Sequence, residues 1–222
     1  MSPSARAQEI ARVIDHTVLR PDATREDVLR LCADAREWGI EVIFIPPCYV
    51  AEAVEAVHGT AIRVGIPVGF PLGGHRTVVK VAEACDGVAA GAQVLDMVIN
   101  VSWLKSGAYD RVRQDMAAVV EATPQAEHKV ILETCLLTDE EKRTACRLAV
   151  EAGMDYVKTS TGFSTKGAVV EDVRLMVNAV RGRVKVKASG GIRNLATLRA
   201  MLDAGAHRIG TSATAAILQE LR

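Results

Sequence analysis

Only eight lysines occur in the 222 residues of this chain, and two of them close short apolar runs. Lys158 ends Asp155-Tyr-Val-Lys158 and is followed by Thr159-Ser-Thr-Gly162; Lys187 is followed by Ala188-Ser-Gly-Gly-Ile192. Asp96 sits inside the apolar stretch Val94 to Ile99. Charged side chains in such places are costly to bury unless they interact. A lysine held near a second positive charge gives up its proton more easily. At an assumed separation of about 6 Å and an effective dielectric near 20, the repulsion is roughly 3 kcal/mol, or about two pKa units, and desolvation adds to it. The freed amine is a nucleophile for carbonyl carbon, through a Schiff base. The lysine that stays charged can pass protons with an aspartate. A purely structural Lys–Asp ion pair is the alternative; three such residues together favour chemistry.

Glycine-rich turns follow two of these runs. Backbone N–H groups at Gly190 and Gly191, and near Gly210, Thr211 and Ser212, can hold an anion. The alternative is that the glycines only make tight turns. Taken together, the residues point to a Schiff-base lysine acting on a phosphorylated carbonyl compound. Aldol chemistry fits, because the enamine formed from a Schiff base is a carbon nucleophile.

The elements that must position these groups repeat one grammar. Thr24 caps a helix whose apolar face is Val28, Leu31, Cys32 and Ala35; Gly39 stops it, and 41–45 reads as a strand closed by Pro46-Pro47. Thr138 and Glu141 form a capping box, with Gly153 as the stop and 155–158 as the next strand. Asn194 opens the same pattern again, ended by Gly205. Eight strands are expected near 13–17, 41–45, 62–68, 93–99, 129–134, 155–159, 184–188 and 207–210, with a short extra helix from Ser4 to Val13. Strict alternation implies right-handed crossovers and a parallel sheet. Eight units of about 28 residues approach the lower size limit of a closed (β/α)8 TIM barrel. A doubly wound open sheet is the competitor, but no GxGxxG turn follows Asp15-His16-Thr17. The expected architecture is therefore an α/β single-domain barrel over residues 1–222. Its chemistry belongs at the C-terminal ends of the strands, where Lys158 and Lys187 fall.

Composition removes other classes. Lys plus Arg number 27, Asp plus Glu number 27, and the net charge is zero, which gives no electrostatic footprint for nucleic acid or an anionic membrane. The 49% hydrophobic and 24% charged content is that of a folded globular chain. No membrane span or secretory signal is expected. Five cysteines form no CxxC pair, which fits reduced thiols in the cytoplasm. The five histidines show no metal-ligand spacing, so no metal is expected.

With these residues in place, the chain resembles the deoxyribose-phosphate aldolases, a class I family. The resemblance runs nearly end to end, through Ile14-Asp-His-Thr17, Val68-Gly-Phe-Pro-Leu-Gly73, Leu95-Asp-Met-Val98, Ile131-Leu-Glu-Thr134, Val157-Lys-Thr-Ser-Thr-Gly-Phe163, Val186-Lys-Ala-Ser-Gly-Gly-Ile-Arg193 and Ile209-Gly-Thr-Ser212. It implies reversible cleavage of 2-deoxy-D-ribose 5-phosphate to acetaldehyde and D-glyceraldehyde 3-phosphate. It implies Lys158 as Schiff-base nucleophile, Lys187 as the second lysine that lowers the Lys158 pKa, and Asp96 as its partner in proton transfer. Gly162, Gly190, Gly191, Gly210, Thr211 and Ser212 match phosphate-loop positions, and Asp15 matches an acidic position near the site. The resemblance further implies no cofactor, a homodimer or homotetramer, and a cytoplasmic enzyme of nucleoside catabolism.

Three positions depart from the family pattern. Phe44-Ile-Pro-Pro47 replaces the common Cys-Val-Asn-Pro, removing a thiol and an amide from near the site. Lys166-Gly167 replaces a glycine pair, and Lys166 is expected to add charge near the phosphate. Lys185 replaces a glycine; by strand alternation it shares a face with Lys187. It then either lies deeper in the barrel, paired with an acid such as Glu133, or turns out to solvent. Two other functions suit the same residues: another phosphosugar isomerase or aldolase, or a non-catalytic phosphosugar-binding barrel. Intact Lys158, Lys187 and Asp96 weigh against the second.

Overall fold

A computed structural model of the chain describes residues 5–221. Helix α1 (Ala5–Val13) runs directly into strand β1 (Ile14–Thr17). Then follow α2 (Arg25–Trp38), β2 (Val42–Phe44), α3 (Val50–Ala56), β3 (Arg63–Val68), α4 (Thr77–Ala89) and β4 (Val94–Val98). Two helices, α5 (Val101–Lys105) and α6 (Tyr109–Ala122), lead to β5 (Glu127–Ile131). The chain continues through α7 (Asp139–Glu151), β6 (Tyr156–Lys158), α8 (Val170–Val180), β7 (Lys185–Ser189), α9 (Leu195–Asp203), β8 (Arg208–Thr211) and α10 (Thr214–Gln219). The strands pair in parallel, in chain order, and β8 closes on β1. The expected TIM barrel with an extra N-terminal helix is what forms; Ser4, expected to open that helix, lies outside the described residues.

The local signals act as their chemistry requires. Thr24 with Asp27, and Thr138 with Glu141, form reciprocal capping boxes at the starts of α2 and α7. The Asn194 side chain accepts from the Thr197 N–H at the start of α9. Strand bounds move where a turn intervenes. The fifth strand was expected at 129–134, yet it ends at Ile131 because Glu133 adopts a left-handed conformation (φ 55°) and a 3-10 turn follows at Thr134–Leu136. Strand β7 runs on to Ser189, so Lys187 lies inside the barrel and not at the strand end.

Two cores result. Outward-facing strand residues such as Ile43, Ile66, Leu95, Val130, Val157 and Val186 pack against the helices in one continuous apolar layer. Inside the barrel Val42, Phe44 and Val94 form a separate small apolar cluster. Much of the interior is taken by charged groups, among them Asp15, Asp96, Lys129, Lys158, Lys187 and Arg208, all buried. Phe44 has room because Gly65, its register partner on β3, has no side chain. A Cβ at Gly65 would stand 2.8 Å from two atoms of the Phe44 ring. Gly65→Ala therefore overpacks the barrel and destabilises it by about 1–3 kcal/mol. Phe44→Leu in the same chain should recover part of that loss, and urea unfolding of the single and double variants measures both.

Candidate active site

Strands β6 and β7 place Lys158 opposite Lys187, as register partners. Asp96 reaches both from β4. Its Oδ2 accepts from Lys158 Nζ at 2.6 Å and from Lys187 Nζ at 2.7 Å. The three residues singled out in the sequence thus meet at one oxygen. Asp96 Oδ1 has no protein hydrogen-bond partner. Asp15 joins from the other side, its Oδ2 2.5 Å from Lys187 Nζ and its Oδ1 2.5 Å from Arg208 Nε. Beneath them Phe44 turns its ring toward Lys187, whose Nζ stands 3.9 Å from the ring centroid. The side chain in place of the family's usual cysteine is therefore a cation–π platform.

Burial and charge set the protonation states. Burial pushes the Lys158 amine down, Asp96 opposes, and Lys187 adds to the push; the pKa falls from 10.5 to about 8. Desolvation therefore leads, and lysine–lysine repulsion, taken from the sequence as the main cause, is the smaller contribution. Roughly a tenth of such an amine is unprotonated at pH 7, against well under a thousandth at the ordinary value. For Asp96, burial favours the neutral acid, but Lys158, Lys187 and Lys129 outweigh it and hold the carboxyl below its ordinary range. Asp15 follows the same pattern: burial raises its pKa, and Lys187, Lys129 and Arg208 bring it below the usual value.

Lys129 was not singled out in the sequence. It is fully buried, ion-paired with Glu127, and its Nζ lies 4.9 Å from the Tyr156 ring centroid and 5.6 Å from that of Phe44. Lys129, not Lys185, is the further lysine buried inside the barrel. Lys185 does share the inner face with Lys187, but at the N-terminal mouth of the barrel, where it is exposed and stacks 5.5 Å from Tyr156. A separate cleft of about 580 Å³ opens there between Lys185, Tyr156, Glu127 and Arg63. Glu133 pairs not with Lys185 but with Thr161.

Above Lys158 a cavity of about 520 Å³ opens at the C-terminal mouth. Its wall includes Lys158 and all six proposed phosphate positions: Gly162, Gly190, Gly191, Gly210, Thr211 and Ser212. Gly190 takes φ 89° and Gly191 φ 76°, the left-handed conformation that favours glycine. The loop after β6 crosses this turn so closely that a Cβ at Gly167 would stand 2.1 Å from the Gly190 carbonyl oxygen. The Thr211 hydroxyl is already engaged, donating to the Ile192 carbonyl at 2.7 Å and accepting the Ala213 N–H at 2.9 Å. Lys166 is exposed and does not line the cavity; Arg193, just after the Gly190-Gly191 turn, does. The signal for Arg193 was its place in the Val186–Arg193 stretch, one residue beyond the turn and Ile192.

The chain has counterparts among known proteins. The family model for DeoC/LacD family aldolases matches residues 10–220. The chain belongs to this aldolase family. The deoxyribose-phosphate aldolase of Caldanaerobacter subterraneus is 50% identical over 214 residues, covering 95% of this chain and 93% of that protein. That of Brevibacillus brevis is 51% identical over 207 residues, covering 93% and 94%. Among solved structures, the tetrameric deoxyribose phosphate aldolase of Aeropyrum pernix superposes with a TM-score of 0.90 at 33% identity, covering 98% of each chain.

Membership in this aldolase family gives the protonation pattern a direct readout. Reaction of Lys158 with an amine-directed or carbonyl reagent should rise with pH through about 8 as a single ionisation, since only the neutral amine attacks. Peptide mass analysis across a pH series measures it; half-incorporation near 10 would contradict the assignment. Lys129→Met removes one of three cations that keep Asp96 ionised. The acid limb of the kcat profile should then move to higher pH, as a pH–rate series on the variant would record.

Proposed function

We propose that this aldolase cleaves 2-deoxy-D-ribose 5-phosphate reversibly to acetaldehyde and D-glyceraldehyde 3-phosphate, with Lys158 as the covalent nucleophile. The observation that carries the reading is the shared Asp96 oxygen: two ammonium groups converge on it directly below a glycine-rimmed cavity. In its neutral form Lys158 Nζ adds to the C1 aldehyde of the open-chain sugar, and loss of water gives an iminium. The C3 hydroxyl proton is then removed and the C2–C3 bond breaks. Its electron pair moves into the iminium, leaving an enamine on Lys158 and releasing D-glyceraldehyde 3-phosphate. Protonation of the enamine at C2 and hydrolysis of the iminium free acetaldehyde and restore the lysine. Lys187, held between the carboxylates of Asp15 and Asp96, handles these protons together with Asp96.

The phosphate is held by backbone N–H groups at Gly162, Gly190, Gly191, Gly210, Thr211 and Ser212, with Arg193 supplying charge at the rim. The reaction as written draws on amino-acid side chains alone. A single barrel domain carries the chemistry, and it works as a homodimer or homotetramer in the cytoplasm; the tetramer of the Aeropyrum pernix relative supports an oligomer. Among the described residues no helix is long and apolar enough to cross a membrane.

Reduction with borohydride in the presence of acetaldehyde should leave a two-carbon adduct on Lys158, found by peptide mass, and Lys158→Ala should abolish both adduct and turnover. An adduct on Lys187 instead would exchange the two roles. Turnover of deoxyribose 5-phosphate far above that of ribose 5-phosphate is the expected substrate preference, measured by coupled assay of the triose phosphate.

A further inference from the structure

We propose that Glu133 is a positioning residue that fixes the Thr161–Gly162 turn against the anionic group of the substrate and so sets the preference for phosphorylated over unphosphorylated sugar. The proposal rests on the phosphate reading of the cavity given above.

Three observations converge on it. The first is backbone geometry. Glu133 is buried and takes φ 55° and ψ 62°; among the described residues only Arg181 is another non-glycine with positive φ. The conformation inserts an extra residue beside β6. Leu132 N–H donates to the Lys158 carbonyl at 2.9 Å and Thr134 N–H donates to the Thr159 carbonyl at 3.0 Å, so two steps of one segment span one step of the other. A residue in this position aims its side chain at the loop that follows Lys158.

The second observation is what the carboxylate holds. Glu133 accepts the Thr161 N–H, with its oxygens 3.3 and 3.4 Å from the nitrogen, and accepts the Thr161 hydroxyl as well. The Thr161 Oγ1 in turn accepts the Phe163 N–H at 3.0 Å. The turn through Gly162 is thereby pinned on both sides of the glycine. The third is placement. Thr161, Gly162 and Phe163 line the cavity, whereas Glu133 does not. Its influence on a ligand must pass through the turn. Burial raises its pKa above the ordinary value, against the pull of the Thr161 bonds and Lys158.

Glu133→Gly removes the carboxylate and leaves the backbone conformation accessible, which protects folding. Glu133→Gln keeps an acceptor for the Thr161 N–H and serves as the conservative variant. The measurement is kcat/KM for deoxyribose 5-phosphate and for deoxyribose on wild type and both variants, with acetaldehyde–borohydride trapping on Lys158 as a check that the site is formed. In Glu133→Gly the ratio of the two kcat/KM values should fall at least about tenfold, through KM for the phosphorylated sugar, the loss expected when charge-assisted hydrogen bonds are removed. Glu133→Gln should restore most of the ratio. An unchanged ratio, or equal losses on both sugars, overturns the assignment while leaving the phosphate reading standing. A wild-type enzyme without preference between the two sugars overturns the phosphate reading, and the assignment with it.

Discussion

Two ammonium nitrogens on a single carboxylate oxygen form a contact that bulk water would disperse. It persists here because the closed barrel excludes solvent from Asp96, Lys158 and Lys187 together. Removing charges from water is expensive, and only near-complete compensation makes it tolerable. The interior supplies that compensation as a continuous set of pairs: Asp96 with both lysines, Asp15 with Lys187 and Arg208, and Glu127 with Lys129 and Arg63. Take one member away and its neighbours are left charged in a dry space. The amine of Lys158 has an exit from this cost, because shedding its proton also sheds its desolvation penalty.

This arrangement divides labour within one barrel. Folding free energy comes from the apolar layer between strands and helices, where nearly every outward strand residue is buried. The inner space is relieved of that duty and can hold polar groups whose stability value is small or negative. Phe44 is a large apolar side chain among these charges, admitted by the missing side chain of Gly65. Its ring faces Lys129, Lys158 and Lys187 at once, at 5.6, 5.7 and 3.9 Å. An aromatic face is the apolar surface least hostile to a cation.

The architecture and the central trio were legible because their signals are local. Capping residues, glycine stops and apolar runs announce each unit, and Lys158, Lys187 and Asp96 each stand out within their own run. What escaped depends on register between strands. Lys129 reads alone as an ordinary strand lysine; only its pairing with Asp96 and Tyr156 brings it under the site. Lys185 shows the converse. Alternation gave its face correctly, but depth along the axis separates a buried charge from a solvated one, and depth is a property of the closed sheet. The left-handed turn at Glu133 was hidden for another reason: glutamate does not favour that conformation, and nothing in Ile131-Leu-Glu-Thr134 signals it.

Phe44, packed with Val42 and Val94, also has its ring against Lys158 and Lys187, while the cavity that Lys158 lines opens at the C-terminal mouth. Substrate and both products would then share that route. Under the proposed mechanism, what is bonded to Lys158 lies beneath the glycine turns, so the larger fragment departs first and the two-carbon fragment last. In the synthetic direction the order reverses: the small aldehyde is seated before the larger one closes the entrance behind it.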